Sequence, residues 1–257
     1  MMRILRFLLI GFPLLALLVC AQADEITVAA AADLSYALQD LANQFTAKTN
    51  TLVKLSFGAS GNLFSQIKNG APFDVFFSAD TEYPRRLTKE GLLDGDSLRA
   101  YAVGHLVLWV LKSSPIDPQK LKMDLLMDPT VKRIAMANPQ HAPYGRAAMA
   151  ALEHFALKDK VASKLVVGEN VSQAAQLVQS GNAQAGLIPL SLALSPAMKE
   201  AGTYWELPSG SYPELRQVAG VVASSKHKPA AQAFLDYATS SEGRAILLRY
   251  GFVTPGP

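Results

Sequence analysis

Residues 26–34 read ITVAAAADL, a short apolar run that leads into an aspartate and the start of an amphipathic helix. The same order of apolar strand, turn of small or polar residues and helix occurs three more times in the chain. The other turns lie at 58–62, 138–145 and 168–171. Apolar strands that alternate with helices predict an α/β fold with mainly parallel sheets flanked by helices.

Each of these turns places the first N–H groups of a helix at the carboxyl end of a strand. Those N–H groups lack partners within the helix, and the helix dipole is positive at that end. Such an end favours an anion, and ligands of open α/β sheets bind at the carboxyl ends of strands. Four turns of this kind predict a pocket that holds an anion with backbone amides.

Two of the turns precede the long apolar stretch Val103–Leu111, and two follow it. If each pair belongs to its own sheet, the pocket lies between two lobes. Val103–Leu111 and Leu215–Ala223 are then the two hinge strands that join them. We expect one lobe to comprise 24–104 and 218–257, and the other to comprise 105–217.

The first 23 residues have the pattern of a secretory signal peptide. Arg3 and Arg6 precede the apolar run Phe7–Cys20, and an Ala-Gln-Ala cleavage site ends at Ala23. Cleavage after Ala23 predicts a periplasmic protein. Two alternatives stay open: an uncleaved signal anchor, for which the apolar run is short, and a lipoprotein anchored at Cys20.

The composition of the remaining chain excludes several classes of protein. Cys20 is the only cysteine, so cleavage excludes disulfides and cysteine-based metal sites. Two of the 24 Lys+Arg lie in the signal, which leaves 22 against 21 Asp+Glu. No basic run predicts nucleic-acid binding, and no second apolar stretch is long enough to span a membrane. We expect a soluble monomer of one or two domains without a nucleic-acid partner.

The turns and the segments around them resemble the periplasmic molybdate-binding proteins of ABC transporters. The likeness covers the whole mature chain in order. The segments that carry it are ITVAAAADL at 26–34, GASG at 58–61, GAPFDVFFSAD at 70–80, NPQHAPYG at 138–145, Val171 and YGF at 250–252. The resemblance implies a two-lobed periplasmic-binding-protein fold of type II. It also implies that the lobes close on a tetrahedral oxyanion, which the protein delivers to a membrane permease.

The resemblance also implies which residues bind the oxyanion. Ser60 is expected to offer its hydroxyl and its N–H, and Tyr144 and Val171 are expected to offer their N–H groups. Asp33 stands where the family often has serine or asparagine, and its N–H is expected to serve. Pro189 stands where some members have a tyrosine whose hydroxyl reaches the ligand, so the Tyr144 hydroxyl is expected to compensate. No cofactor and no direct protein ligand to a metal is implied.

The carboxylate of Asp33 has two interpretations. In the first, it caps its own helix by accepting from the N–H of Ser35 or Tyr36 and points away from the ligand. In the second, it faces the ligand and accepts a proton from hydrogen phosphate. We favour the cap, because an ionised carboxylate that faced molybdate would repel it.

Other ligands and activities remain as alternatives. A site of neutral donors suits a fully deprotonated dianion, which favours molybdate with tungstate, but sulfate or phosphate is possible in the same architecture. Ferric iron needs several phenolate or carboxylate ligands, and only Asp33 and Tyr144 are placed for that. The segment GASGN at 58–62 lacks the glycine spacing of a nucleophile elbow, and SQIK at 65–68 has no K-T-G after it. We therefore predict no enzymatic activity.

Overall fold

The computed structural model describes residues 24–255, so the predicted signal peptide lies outside the described residues. Strands and helices alternate along this range, as the sequence predicts. The strands are β1 Glu25–Ala31, β2 Leu52–Gly58, β3 Val75–Ser78, β4 Arg99–Gly104, β5 Leu106–Leu111, β6 Ile134–Ala137, β7 Leu165–Gly168, β8 Ala185–Pro189, β9 Gly202–Glu206 and β10 Leu215–Val221. The helices are α1 Ser35–Thr49, α2 Ser60–Lys68, α3 Glu82–Lys89, α4 Pro118–Leu121, α5 Pro143–His154, α6 Lys158–Val161, α7 Val171–Gln179, α8 Leu190–Ala193, α9 Pro196–Ala201, α10 Lys228–Thr239 and α11 Ser241–Arg249.

The strands form two five-stranded sheets with the same plan. The first has the order β2-β1-β3-β10-β4, and the second has the order β7-β6-β8-β5-β9. In each sheet four strands run in one direction, and the fourth strand of that order, β10 or β5, runs against its neighbours. Each reversed strand is the one that enters its sheet from the other lobe. The predicted α/β fold with two lobes and mainly parallel sheets is confirmed.

The first hinge differs from the prediction of one strand over Val103–Leu111. β4 ends at Gly104 and pairs in the first sheet, whereas β5 begins at Leu106 and pairs in the second. His105 lies between them, where the chain changes sheet. Its carbonyl accepts from the Leu190 N–H at 2.9 Å. Gly104 and His105 also interrupt the apolar run at this point, a signal that the prediction of one continuous strand overlooked.

The return to the first sheet takes place between β9 and β10. Leu215 is already paired with Gly104 in the first sheet, and Gln217 is paired with Ala102. Residues 215–217 thus pair in the first sheet. The chain re-enters the first lobe three residues earlier than the predicted boundary at 218. Both crossings therefore lie side by side, next to the start of β5.

The apolar faces read from the sequence form the core. Ala37, Leu38, Leu41 and Phe45 of α1 are all buried, and Trp109 of β5 is fully buried in the second lobe. The core of the second lobe continues into four alanines of the first lobe, Ala31, Ala32, Ala59 and Ala79. The two lobes are therefore packed together in a closed arrangement. Over residues 24–255, the helices are too short or too polar to cross a membrane.

Candidate oxyanion site

All four strand–turn–helix turns meet at one cleft between the two sheets. Asp33 and Ser60 line it from the first lobe, and Tyr144 and Val171 line it from the second. The structure thus brings the four predicted site residues together around one small cavity. Each of them is at most 5% exposed, so a group held here is largely removed from water.

The beginnings of three helices supply free donors to this cleft. Ser60 and Val171 are the first residues of α2 and α7, and Tyr144 is the second residue of α5. Among residues 24–255, the backbone N–H of each of these three has no hydrogen-bond acceptor. Because a buried N–H without an acceptor is costly, these groups indicate a site for an acceptor that the protein itself does not supply.

The hydroxyl of Ser60 is oriented by the neighbouring strand end. Its Oγ accepts a hydrogen bond from the Ala79 N–H at 3.0 Å, and both residues are buried. A hydroxyl that already accepts keeps its own proton for donation. Ser60 therefore offers two donors, its N–H and its O–H.

The turn before α7 is held by its own side chains. Asn170 Oδ1 accepts from the N–H groups of Ser172 and Gln173 at 3.0 and 3.1 Å, and Gln173 Oε1 accepts from the Glu169 N–H. Asn170 and Gln173 thus form a side-chain cap at the start of this helix. It satisfies the second and third N–H groups of the helix and leaves that of Val171 free.

The favoured interpretation of Asp33 as a helix cap is wrong. Neither Ser35 nor Tyr36 donates its N–H to the carboxylate, and α1 has no side-chain cap. Instead Oδ2 accepts from Gln217 Nε2 at 2.7 Å, while Oδ1 is buried without a partner in the described chain. The short helical turn Ala32–Leu34 between β1 and α1 causes this, because it directs the side chain toward β10.

Gln217 and Tyr101 belong to this site, and the sequence analysis missed both. Gln217 Oε1 accepts from the Tyr101 hydroxyl at 2.6 Å, and Gln217 Nε2 lies 3.2 Å from the Tyr144 hydroxyl. The Tyr144 hydroxyl thus contacts the hinge strand β10. A glutamine within the apolar run Leu215–Ala223 was the available signal, because a polar residue inside a buried strand needs buried partners.

Burial dominates the electrostatics of this cluster. It raises the pKa of Asp33 from 3.8 to about 6, and the hydrogen bonds from Gln217 and Tyr144 only partly oppose the rise. Burial also raises the pKa of Tyr101 and Tyr144 well above the usual value, with the nearby Asp33 carboxylate adding to the effect. Both tyrosines are therefore neutral donors at physiological pH.

A family model for bacterial extracellular solute-binding proteins matches residues 26–253. The chain belongs to this family. It is 40% identical to the molybdate-binding protein ModA of Azotobacter vinelandii over 92% of this chain and 93% of that protein. It is 35% identical to ModA of Rhodobacter capsulatus, over 91% of this chain and 90% of that protein. The solved periplasmic molybdate-binding protein of Azotobacter vinelandii has a TM-score of 0.85 at 35% identity, and the match covers 90% of this chain and all of that one.

Direct contacts hold this solute-binding protein closed around the cleft. The Gly61 N–H donates to the His141 carbonyl at 2.9 Å, and Asn62 Nδ2 donates to Glu169 Oε1 at 2.6 Å. Both bonds join the start of α2 to the opposite lobe. They form at the rim, next to the free N–H groups of Ser60 and Val171.

An ion pair between the lobes adds to these contacts. Arg146 of α5 donates to Asp80 Oδ2 at 2.5 Å and lies 3.4 Å from the Tyr83 hydroxyl. Asp80 also accepts from the Tyr83 N–H at 3.2 Å, through Oδ1. Because Arg146 is engaged with Asp80, its charge is already balanced beside the cleft.

The arrangement can therefore bind an anion with neutral donors. The described residues contain no group of three or more His, Cys, Asp or Glu placed to hold a metal ion. The cleft offers three backbone N–H groups and one hydroxyl, contributed by both lobes. A small anion that accepts from both lobes at once stabilises the closed state, because only that state brings the donors together.

Proposed function

We propose that this protein captures molybdate, and tungstate with it, between its two lobes and delivers the anion to the membrane permease of an ABC transporter. The observation that carries the proposal is the set of free donors from Ser60, Tyr144 and Val171 around one buried space. The names of the relatives at 40% and 35% identity support molybdate as the anion.

The charge balance of the cleft supports a tetrahedral dianion. Fixed N–H and O–H dipoles stabilise such an anion in a closed site without a buried counter-charge. Sulfate has shorter bonds than molybdate, so donors spaced for molybdate are too far from its oxygens.

The remaining features of the proposal concern the whole protein. The signal peptide is cleaved after Ala23, and the mature protein acts in the periplasm as a monomer, without nucleic acid, cofactor or catalytic turnover. The lobes comprise 24–104 with 215–257, and 105–214. Since residues 215–217 pair in the first sheet, we place the second crossing between β9 and β10.

Thermal unfolding of the mature protein with molybdate, tungstate, sulfate or phosphate tests the ligand. A ligand at 100 times its dissociation constant adds about 2.7 kcal/mol to the free energy of unfolding. For a chain of this size the expected rise in Tm is about 5–10 °C. We expect this rise with molybdate and tungstate and none with sulfate or phosphate.

A matched pair of serine variants tests the site. Ser60→Ala removes the hydroxyl donor and is expected to abolish most of the molybdate-induced rise, whereas the exposed Ser224→Ala is expected to keep it. A rise with phosphate alone would replace molybdate by phosphate in the proposal. No rise with any of the four anions would contradict the oxyanion site itself.

A further inference from the structure

Asp33 has one carboxyl oxygen that the protein leaves unused. The side chain lines the cavity and is 1% exposed. Oδ2 accepts from Gln217 Nε2 at 2.7 Å, but Oδ1 has no hydrogen-bond partner among residues 24–255. An ionised oxygen in this position is costly, because it is withdrawn from water and receives no donor in return.

The elements packed around Asp33 provide no positive charge for it. They contribute Tyr101 from β4, Tyr144 from α5 and Gln217 from β10, all of them neutral. The Ser191 hydroxyl of α8 bonds only the Asp33 backbone carbonyl, at 2.7 Å.

Two charged groups on neighbouring elements already have partners. Arg146 of α5 pairs with Asp80, and Glu169, which precedes α7, accepts from Asn62. An ionised Asp33 beside a bound dianion would therefore place three negative charges together without compensation. A neutral carboxylic acid in the same place instead offers one more O–H donor.

We propose that Asp33 binds the oxyanion as a neutral carboxylic acid, with the proton on Oδ1 donated to an oxyanion oxygen and Oδ2 held by Gln217. This inference rests on the proposed function and specifies its regulation: capture of a dianion takes up one proton from solution. The raised pKa of Asp33, about 6 in the closed protein, is in accord with this role.

Two measurements on the wild-type protein test whether a proton is taken up on binding. Titration calorimetry of molybdate at pH 7.5, in two buffers with different enthalpies of ionisation, is expected to report the uptake of about one proton per anion. Between pH 7 and pH 8, which lie above the pKa of Asp33 and where molybdate stays fully deprotonated, the Kd is expected to rise about tenfold per pH unit. A Kd that is independent of pH, or zero proton uptake, would overturn the inference while leaving molybdate binding in place.

Two aspartate variants locate the proton. Asp33→Asn carries a permanent N–H donor. Its Kd for molybdate is therefore expected to be independent of pH and lower than that of the wild type at pH 8. Asp236 is an exposed carboxylate on α10, and Asp236→Asn is expected to keep the wild-type dependence of Kd on pH. If the Kd of Asp33→Asn depended on pH as that of the wild type does, the inference would be overturned. Absence of molybdate binding by the wild type at every pH would overturn the proposed function and this inference with it.

Discussion

At the scale of single residues, Asp33 illustrates how burial changes the chemistry of a side chain. The carboxyl accepts from Gln217 Nε2 and lies beside the Tyr144 hydroxyl, and both of these neutral groups are buried. Loss of hydration outweighs the hydrogen bonds from these two groups, so the pKa rises from 3.8 to about 6. The residue is therefore ionised at neutral pH only at the expense of folding stability.

This expense gives a testable pH dependence of stability. Because the folded pKa is raised, the stability that Asp33 contributes is complete below pH 3.8 and is lost as the pH rises through about 6. The loss is at most about 3 kcal/mol. Ligand-free Asp33→Asn is expected to have a Tm several degrees above the wild type at pH 8. The two are expected to converge near pH 4, and a variant that is less stable at pH 8 would contradict the role of desolvation.

At the scale of elements, β4 ends at a glycine because there is no space for a side chain. A Cβ at Gly104 would lie 1.9 Å from the Tyr144 hydroxyl oxygen and 2.7 Å from Gln217 Nε2. The backbone at this glycine needs no left-handed conformation. The absence of a side chain is what lets α5 approach the hinge so closely.

Gly104→Ala is expected to destabilise the protein through this overlap. Crowding in a packed interior typically costs about 1–3 kcal/mol, and here both displaced groups belong to the Asp33 cluster. We expect a lower urea midpoint than the wild type. Gly210→Ala is the matched control, because a Cβ there meets nothing within 4 Å. Equal midpoints for the two variants would argue against the close approach.

The cap of α7 separates stability from affinity. Asn170→Ala removes the acceptor for two N–H groups, and we expect a loss of about 1 kcal/mol in unfolding free energy and weaker molybdate binding. Asn170→Asp keeps the cap but adds a negative charge beside the bound anion. It is expected to restore the stability and to bind molybdate more weakly than Asn170→Ala does. Equal affinities in the two variants would show that this turn lies away from the anion.

At the scale of the whole molecule, contacts between protein groups of the two lobes contribute to closure. Arg146–Asp80 is the charged one, and it is partly shielded, with the arginine side chain 38% exposed and the aspartate 14% exposed. Burial raises the pKa of Asp80, and the charge of Arg146 opposes the rise. Removal of the arginine charge therefore leaves a partly buried Asp80 carboxylate without compensation in the closed state.

Arg146→Gln is expected to shift the ligand-free protein toward the open state. Because solvent screens a partly exposed pair, its contribution is about 1 kcal/mol or less, which corresponds to at most about a fivefold increase in Kd for molybdate. The ligand-free variant is also expected to have a larger radius of gyration in solution scattering. Arg133→Gln, an exposed arginine on the same lobe, serves as the control. Identical scattering and Kd values for both variants would contradict a role of the Arg146–Asp80 pair in closure.

The sequence by itself determined the α/β class, the two lobes and the turns where the four site residues lie. Helix faces such as that of α1 repeat at short spacing, and helix starts such as Asn170 depend on residues three positions away. Local patterns of this kind are complete within one stretch of chain. The meeting of the turns follows from them, because the carboxyl ends of parallel strands share one edge of a sheet.

Only the tertiary structure decided the change of sheet at His105, the direction of the Asp33 side chain and the contacts that close the lobes. Asp33 and Gln217 are 184 residues apart, and Arg146 and Asp80 are 66 apart. A helix cap and a buried hinge contact are both available to an aspartate at the end of a strand. The outcome depends on which groups the folded chain brings within hydrogen-bond distance, and no local pattern contains that information.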